Sequence, residues 1–308
     1  MFALQYSRFG PPEVLTVDSA EEPHAGPGDI RIAVRATGVA PTDAKLRAGL
    51  LTASRTPDWP HVPGVDAAGV VDEVGAGIEG VSIGDEVFGA VDVMRLGGAA
   101  AEFAVLRFWA AKPEAMSWAE AGGAGTSVET AVRALDVVGV KDGTTVLIDG
   151  AAGGVGHVAV QLAVARGARV IGTGSASNHE FITSLGATPV AYGPGLAERV
   201  AALAPGGVDA ALDVAGAGSL AELVTVTGDP GRVVTIADFT AERYGVHLSY
   251  SGSGGPDGRH GLAEAAALAA DGRFRLVVRE AFPLHRAAEA HAAVADGHGH
   301  GKVVLTLP

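Results

Sequence analysis

Hydrophobic residues in the first part of the chain recur at every second position. The segment Ile30–Ala36 follows this alternation, which is typical of a β-strand with one buried face. Two shorter segments, Val70–Gly75 and Asp85–Gly89, have the composition of strands and are separated by glycine turns. We therefore predict a β-rich domain over residues 1–118.

The spacing of apolar residues changes after residue 118. Thr126–Glu129 has the sequence of a helix capping box and precedes apolar residues at helical spacing. Thr145–Asp149 is apolar at successive positions, which is typical of a parallel strand covered on both faces. Helical segments then alternate with short strands: the predicted helices are 155–165, 178–185, 195–203 and 218–226, and the predicted strands are Val170–Ile171, Pro189–Ala191, Ala210–Val214 and Arg232–Ile236. This alternation predicts an α/β domain with a doubly wound parallel sheet over residues 119–271.

A strand pattern returns near the end of the chain. Phe274–Val278 alternates and predicts a strand, residues 285–295 predict a helix, and Lys302–Leu305 predicts a last strand. We treat residues 272–308 as a third segment.

The composition narrows the range of possible functions. The chain has 308 residues, of which 48% are hydrophobic, and this is enough for two domains that each have a core. It contains no cysteine, which excludes disulfides, thiolate nucleophiles, iron–sulfur clusters and cysteine-based zinc sites. The formal net charge of −13 would be repelled by nucleic-acid phosphates and by anionic lipids. We therefore expect neither nucleic acid nor membrane as a partner.

Targeting signals are not apparent in the sequence. No segment reaches the run of about 18 uncharged apolar residues needed to span a bilayer. The segment Met1–Tyr6 lacks the basic and apolar parts of a signal peptide. We therefore expect a cytoplasmic protein.

A glycine cluster lies between the first strand of the predicted parallel sheet and the helix that follows it. Residues 150–156 have the dinucleotide-binding pattern, with Ala151 in place of the first glycine. Gly153 would let a diphosphate approach the backbone, and Gly156 would let the helix pack closely on the strand. The strand before, the helix after and the second strand at the right distance favour a dinucleotide site over an ordinary glycine turn.

The turn after the second strand of this sheet bears on the choice between NADPH and NADH. Proteins that bind NAD usually carry an acidic residue there, about 20 residues after the glycines, for the ribose 2′-hydroxyl. Here the turn contains Gly174, Ser175, Ser177 and Asn178, and no acidic residue occurs before Glu180. A carboxylate would repel a 2′-phosphate, whereas hydroxyl groups can accept one, so we expect NADPH as the cofactor. Because the turn has no Arg or Lys, the strength of this preference stays open.

Two further strands end at the same edge of the predicted sheet. Val214 and Ala215 follow one of them, and Ile236 and Ala237 follow the other. Ligands of α/β sheets bind at the carboxyl ends of the strands. The predicted cofactor site therefore consists of Gly150, Ala152, Gly153, Gly154, Val155, Gly156, Gly174, Ser175, Ser177, Asn178, Val214, Ala215, Ile236 and Ala237.

Motifs spread over the whole chain carry a family resemblance. They are Gly38–Gly49, Pro63–Val71, Gly84–Gly89, the glycine cluster and Gly301–Leu305. With these segments the chain resembles the zinc-independent quinone oxidoreductase (zeta-crystallin-like) branch of the medium-chain dehydrogenase/reductase superfamily. The resemblance implies a GroES-like catalytic domain over residues 1–118, a Rossmann NADP-binding domain over 119–271, and a return to the catalytic domain over 272–308.

The resemblance also implies that no metal takes part in the reaction. Zinc-dependent relatives carry Cys, His and Glu where this chain has Ala40, Val65 and Asp66. Alanine and valine cannot bind zinc, so the Lewis acid that would polarise an alcohol is missing. Quinone reductases usually have Asn at position 40 and often Tyr in the segment that corresponds to Gly98–Glu102. The loss of both predicts a wider and more apolar substrate site.

Hydride transfer from the nicotinamide to a quinone or an α,β-unsaturated carbonyl remains as the expected chemistry. Such an acceptor is activated by conjugation and needs at most a hydrogen bond at its oxygen and a proton. By resemblance, Lys45 would donate that bond, Thr42 would occupy the position of a proton-relaying hydroxyl, and Thr130 would pack beside the nicotinamide amide. Lys45 and Thr42 have structural alternatives, a solvated side chain and the cap of a turn. We expect Asp43 to be a cap and not a base.

Two functions stay open at this point. The first is an NADPH-dependent reductase of an apolar quinone or enone. The second is a cofactor-binding sensor or a structural, crystallin-like protein with little turnover, which the missing polar groups at positions 40 and 100 favour. The resemblance also implies a homodimer joined through the edges of two Rossmann sheets, with His247–Tyr250 as the candidate edge strand.

Overall fold

The computed structural model describes residues 1–51, 57–251, 257–297 and 299–308. The strands in chain order are β1 (Phe2–Gln5), β2 (Thr16–Ser19), β3 (Ile30–Val39), β4 (Asp66–Val74), β5 (Glu86–Ala90), β6 (Phe103–Leu106), β7 (Phe108–Ala111), β8 (Thr145–Asp149), β9 (Arg169–Gly174), β10 (Thr188–Ala191), β11 (Ala210–Asp213), β12 (Val233–Thr235), β13 (His247–Leu248), β14 (Val278–Pro283) and β15 (Lys302–Thr306). The helices are α1 (Pro41–Arg47), α2 (Trp118–Gly122), α3 (Gly125–Val137), α4 (Gly156–Ala165), α5 (His179–Ser184), α6 (Leu196–Leu203), α7 (Leu220–Thr227), α8 (Gly261–Ala270) and α9 (Ala287–Asp296).

The chain divides into two compact units. The first unit consists of Met1–Thr126, Leu262–His298 and Lys302–Pro308, and the second consists of Ser127–Gly261 and Gly299–Gly301. The end of the chain thus contributes to both units. The predicted domain boundaries after residues 118 and 271 stay predictions.

The first unit is built around a mixed sheet. Its strands follow the order β14-β15-β3-β4-β5-β7, and β6 also pairs with β3. The alternation that predicts β3 reflects burial, because Ile30, Ile32 and Val34 are at most 4% exposed and pack with Ala67 and Val71 of β4. This sheet confirms the predicted β-rich part of the fold.

The second unit contains a parallel sheet with the order β10-β9-β8-β11-β12-β13. Numbered within the sheet, this is the 3-2-1-4-5-6 order of the Rossmann fold. Val146, Leu147 and Ile148 of β8 are fully buried, as the apolar run on this strand predicts. The strand order reverses at β8, and the glycine cluster directly follows this strand. The predicted Rossmann fold is therefore confirmed, and the cluster lies where ligands of such sheets bind.

The predicted strand Phe274–Val278 is wrong. Phe274 and Leu276 are 5% and 1% exposed, so their alternation reflects one buried face. The strand β14 begins only at Val278, the first residue that pairs with β15. Burial periodicity alone therefore does not determine the residue at which a strand begins.

The predicted capping box at Thr126–Glu129 is also wrong. Helix α3 begins at Gly125, so these residues lie inside the helix. The backbone N–H of Thr126 donates instead to Oδ1 of Asp66 on β4, at 2.5 Å. A side chain distant in sequence thus replaces the local cap. None of the helices in the described part of the chain has the length and hydrophobicity that a membrane span requires.

Candidate functional site

The glycine cluster forms a tight turn between β8 and α4. Gly150 has a φ of +91°, in the left-handed region that favours glycine. The N–H of Gly153 donates to the carbonyl oxygen of Gly150 at 3.0 Å, and the N–H of His157 donates to that of Gly153 at 3.1 Å. The carbonyl oxygen of Ala152 accepts from the N–H of Gly301 at 3.0 Å, which fixes the turn from the other side.

The two glycines that the sequence singles out have different surroundings. A Cβ at position 156 would overlap the carbonyl oxygen of Gly150 and would lie 2.9 Å from Cα of Ala151. A Cβ at position 153 would meet nothing closer than the carbonyl oxygen of Gly150, at 3.4 Å, and Gly153 is exposed. Gly156 therefore lets the helix start pack on the turn, whereas Gly153 leaves one side of the backbone open to a ligand.

The start of α4 offers donors for an anion. The N–H groups of Gly154 and Val155 have no acceptor among the described residues, and both residues are partly exposed. Helix α4 has ten residues and begins at this turn, so the positive end of its dipole also lies there. Free N–H groups, a helix dipole and an open glycine backbone fit a diphosphate group.

The loops after β8, β11 and β12 contact one another. A Cβ on Gly150 would lie 3.0 Å from Cβ of Ala215, and one on Gly216 would lie 2.8 Å from Cβ of Ala237. The N–H of Val214 donates to the carbonyl oxygen of Asp149, and that of Ile236 donates to Asp213, each at 3.0 Å. The structure therefore brings the predicted residues of these three strand ends together at one edge of the sheet.

The turn after β9 presents hydroxyl groups. The Oγ atoms of Ser175 and Ser177 lie 2.9 Å apart, and the N–H of Asn178 donates to the carbonyl oxygen of Ser175 at 2.8 Å. Gly174 is buried, and a Cβ there would lie 2.5 Å from Cδ1 of Ile182. Gly174 therefore packs the turn against α5, while the two serines stay accessible to solvent.

Four buried polar side chains at the ends of neighbouring strands were not among the predicted site residues. They are Asp149, Thr173, Asp213 and Thr235, each at most 2% exposed, and we call them the strand-end network. Burial raises the pKa of the Asp213 carboxyl, and the charge of Asp149 raises it further, while hydrogen bonds to the carboxylate oppose these effects. The sequence signal was present, because a polar residue ends or nearly ends each of the four strands and directly follows apolar or small residues.

Thr130 lies on α3 beside a buried ion pair. Its hydroxyl donates to Oε2 of Glu129 at 3.1 Å and accepts from Nη2 of Arg133 at 3.3 Å. Nε of Arg133 and Oε1 of Glu129 are 2.9 Å apart, with both side chains at most 6% exposed. The hydroxyl of Thr130 is thus hydrogen-bonded to two side chains of its own helix.

Lys45 and Thr42 lie on α1 in the first unit, and both are exposed. Asp43, between them, is buried; Oδ2 accepts from the N–H of Ala40 at 2.8 Å and Oδ1 from that of Gly64 at 3.1 Å. Burial raises the pKa of the Asp43 carboxyl to about 6. The expected capping role of Asp43 is therefore confirmed.

In this chain, the positions that correspond to zinc ligands in zinc-dependent relatives have other roles. Val65 packs against the core of the first unit. The carboxylate of Asp66 is fully buried, and its Oδ2 lies 3.0 Å from Nζ of Lys302. In residues 1–51, 57–251, 257–297 and 299–308, no group of three or more His, Asp or Glu side chains is arranged to hold a metal ion.

Comparison with known protein families matches both parts of the chain. Residues 26–114 match the alcohol dehydrogenase GroES-like domain, and residues 185–305 match the zinc-binding dehydrogenase family. A chloroplast envelope quinone oxidoreductase homolog from Arabidopsis thaliana is 30% identical over 326 residues, with 99% of this chain and 98% of that protein covered. The chain belongs to the medium-chain dehydrogenase/reductase superfamily.

Other members of the superfamily are similar over comparable lengths. The NADPH-dependent alkenal/one oxidoreductase of Arabidopsis thaliana is 31% identical, with 99% of this chain and 79% of that protein covered. The crystal structure of an alcohol dehydrogenase superfamily protein from Novosphingobium aromaticivorans superposes with a TM-score of 0.88 at 30% identity, and both chains are fully covered. As a medium-chain dehydrogenase/reductase, the protein is an oxidoreductase that uses a nicotinamide dinucleotide.

Proposed function

We propose that the protein is an NADPH-dependent, metal-independent reductase that transfers hydride to a quinone or an α,β-unsaturated carbonyl compound. The observation that carries this proposal is the turn at residues 150–156. It joins an open glycine backbone to the start of a helix at the point where the strand order of a Rossmann sheet reverses. The diphosphate of the cofactor would be held there by Gly153, Gly154 and Val155.

The preference for NADPH rests on the turn after β9. An acidic side chain would repel a 2′-phosphate, and none occurs between the end of β9 and Glu180. Ser175 and Ser177 offer two accessible hydroxyl groups, and Asn178 offers an amide, within a few residues of one another. These groups can donate hydrogen bonds to a phosphate, so we infer that NADPH binds more tightly than NADH.

The class of substrate follows from the residues that replace zinc ligands. Ala40 and Val65 carry no ligand atom, and the carboxylate of Asp66 is bonded to Lys302 and to the N–H of Thr126. The chain therefore lacks the Lewis acid by which zinc-dependent relatives polarise an alcohol or a simple ketone, whereas a conjugated carbonyl is already electron-poor. The names of the two Arabidopsis relatives, a quinone oxidoreductase homolog and an alkenal/one oxidoreductase, support the same class of acceptor.

The chain's own residues would orient the reactants and move a proton. The bound dihydronicotinamide supplies the hydride. Lys45, exposed on α1, would donate a hydrogen bond to the carbonyl oxygen of the acceptor, where negative charge develops. Thr42, three residues earlier on the same helix, would pass a proton to that oxygen, and Thr130 would contact the carboxamide side of the nicotinamide.

A second candidate function is a cofactor-binding sensor or structural protein with little turnover. Ala40 and Ala100 favour it, because each lacks the polar side chain that reductases of this family usually carry there. Ala100 is 1% exposed and packs in the core of the first unit, so it offers no group to a substrate. This function differs from the first only in turnover, and not in cofactor binding.

One assay separates the two functions. NADPH and NADH are titrated into the purified protein by nucleotide fluorescence, and NADPH oxidation is then followed with a panel of quinones and enones. Turnover of any acceptor supports the reductase. Tight NADPH binding without oxidation across the panel favours the sensor or structural function.

We further propose that the protein forms a homodimer through the edge of its Rossmann sheet. Strand β13 is the last strand of that sheet in the described part of the chain, and it is only two residues long. Edge strands offer unpaired backbone groups to a second copy. Light scattering coupled to size-exclusion chromatography tests this proposal: a mass near twice 30.7 kDa is expected, and a mass near 30.7 kDa would contradict it.

A further inference from the structure

We propose that the strand-end network of Asp149, Thr173, Asp213 and Thr235 positions the loops that hold the cofactor. The proposal rests on the proposed function for the nature of the ligand. It goes beyond that function by assigning a positioning role to four side chains that need not touch the cofactor. Their hydrogen bonds reach the loops after β8, β11 and β12.

One half of the network fixes the start of the glycine turn. Oδ1 of Asp149 accepts from Oγ1 of Thr173, and Oδ2 accepts from Oγ of Ser219, each at 2.5 Å. Oγ1 of Thr173 in turn accepts from the N–H of Gly150 at 2.9 Å. The backbone of Thr173 also accepts from the N–H of Ala151 at 3.1 Å. The first two residues of the glycine turn are thus hydrogen-bonded to β9. The residue before α7 is hydrogen-bonded to the last residue of β8.

The other half fixes the loop after β11. Oδ1 of Asp213 accepts from the N–H groups of Ala215 and Gly216, at 3.0 and 2.8 Å. Oδ2 of Asp213 accepts from Oγ1 of Thr235 at 2.8 Å. One carboxylate therefore orients two loop amides and a hydroxyl on the neighbouring strand.

Thr235 extends the same arrangement to the loop after β12. Its Oγ1 accepts from the N–H groups of Ala237 and Asp238, at 3.1 and 2.9 Å. Because the hydroxyl hydrogen is donated to Asp213, the single oxygen of Thr235 connects two loops. Both loops carry residues of the candidate cofactor site.

The two halves are adjacent in the sheet. Asp149 and Asp213 are paired positions of the neighbouring strands β8 and β11. The partners named above are hydroxyl and backbone N–H groups, and these bond only along defined directions. Apolar side chains could fill the same volume but could not set the direction of loop amides. The arrangement therefore suits preorganisation of a binding surface better than packing alone.

The network also determines which backbone N–H groups of the loops are left without a protein acceptor. The N–H groups of Ala215, Gly216, Ala237 and Asp238 point at buried oxygens and are not offered to a ligand. Those of Gly154 and Val155 stay without an acceptor in the described residues. An anionic group would therefore find its donors at the glycine turn and not in the loops after β11 and β12.

The test is the substitution Thr235→Val, which keeps the side-chain shape and removes the bridging oxygen. The dissociation constants of NADPH and NADH are measured by fluorescence titration, hydrogen exchange reports on the amides of residues 236–238, and thermal unfolding reports on the fold. The second variant, Thr235→Ser, keeps the hydroxyl oxygen and removes only the methyl group. Thr225→Val is the matched control, because Thr225 is exposed on α7 and its Oγ1 donates to the carbonyl oxygen of Ala221.

We expect Thr235→Val to weaken the binding of both cofactors about tenfold, because the three hydrogen bonds of Oγ1 that orient the two loops are lost. Exchange of the amides of Ala237 and Asp238 should become faster. Thr235→Ser should bind within about twofold of the unsubstituted protein, and Thr225→Val should change neither affinity nor exchange.

The following results would overturn the inference or the proposed function on which it rests. Unchanged cofactor affinity in Thr235→Val, with faster exchange of the loop amides, would make the network purely structural and overturn the inference. If Thr235→Val does not fold, Ser219→Ala serves instead, since it removes one bond to Asp149 from a half-buried position; an unchanged affinity there would also overturn it. If the unsubstituted protein binds neither nucleotide, the proposed function fails, and the inference fails with it.

Discussion

The carbonyl oxygen of Gly150 occupies the space that a Cβ on residue 156 would need. This contact couples the end of β8 to the first residue of α4, and it leaves no room for any side chain at position 156. The same turn has space at position 153. The two glycines therefore allow the stability of the turn and the binding of a ligand to be tested separately.

Gly156→Ala should destabilise the protein by about 1–3 kcal/mol, as overpacking of a closed contact does. The methyl group must displace the backbone of Gly150 or Ala151, neither of which belongs to a flexible side chain. Urea unfolding followed by circular dichroism measures the change. Gly153→Ala is the control, and equal stability losses in both variants would contradict the packing role of Gly156.

Gly153→Asp should abolish binding of NADPH while leaving the fold intact. The position accepts a Cβ without a close contact, but the carboxylate would meet the diphosphate at the start of α4. Fluorescence titration measures affinity, and Gly153→Asn provides a neutral side chain of the same size. Unchanged affinity in Gly153→Asp would place the diphosphate elsewhere.

Lys45→Ala should lower kcat for reduction by about tenfold or more, because a donor to the developing oxyanion is lost. The affinity for NADPH should stay within about twofold, since that binding is assigned to the second unit. Lys141, an exposed lysine of the second unit, provides the control Lys141→Ala. If kcat and affinity both stay at their original values in Lys45→Ala, the lysine is an ordinary surface residue.

The stability of the first unit should fall in acid because of His291. This side chain is 1% exposed on α9, and burial lowers its pKa to about 4, with a smaller contribution from the charge of Arg47. Since the folded pKa lies below the ordinary value of 6.5, His291 favours folding fully above pH 6.5. This contribution, about 3 kcal/mol, is lost as the pH falls from 6.5 towards 4.

The variant His291→Gln isolates this effect. Free energies of unfolding measured at pH 7 and pH 4.5 should differ less for the variant than for the unsubstituted protein. The raised pKa of Asp43 acts in the opposite direction, favouring the fold at low pH, but it is common to both proteins and cancels in the comparison. An equal pH dependence in the two proteins would refute the role of His291.

Local sequence patterns were sufficient for the elements that frame the site. Strand β8 coincides with the predicted Thr145–Asp149, and α4 begins one residue after its predicted start. Both follow from short-range signals, namely an apolar run without alternation and a glycine cluster followed by helical spacing. The order of strands and helices was then enough to place four strand ends at one edge.

Features that depend on contacts distant in sequence were not predictable in the same way. The strand-end network requires Asp149 and Asp213 to lie at paired positions of adjacent strands, which is a matter of register. The cap of α3 comes from Asp66, 60 residues before Thr126. Such pairings are set by the tertiary fold, and a single sequence shows only that a polar residue ends an apolar strand.

The central claim is that a nicotinamide dinucleotide binds at the glycine turn and donates hydride to a conjugated acceptor. Stopped-flow measurement of NADPH oxidation by a quinone and by an enone, with unsubstituted protein and with Gly153→Asp, tests it most directly. We expect oxidation of NADPH, faster than that of NADH, in the unsubstituted protein and none above background in the variant. Equal rates in the two proteins, or no response of the unsubstituted protein to either reduced nucleotide, would contradict the account.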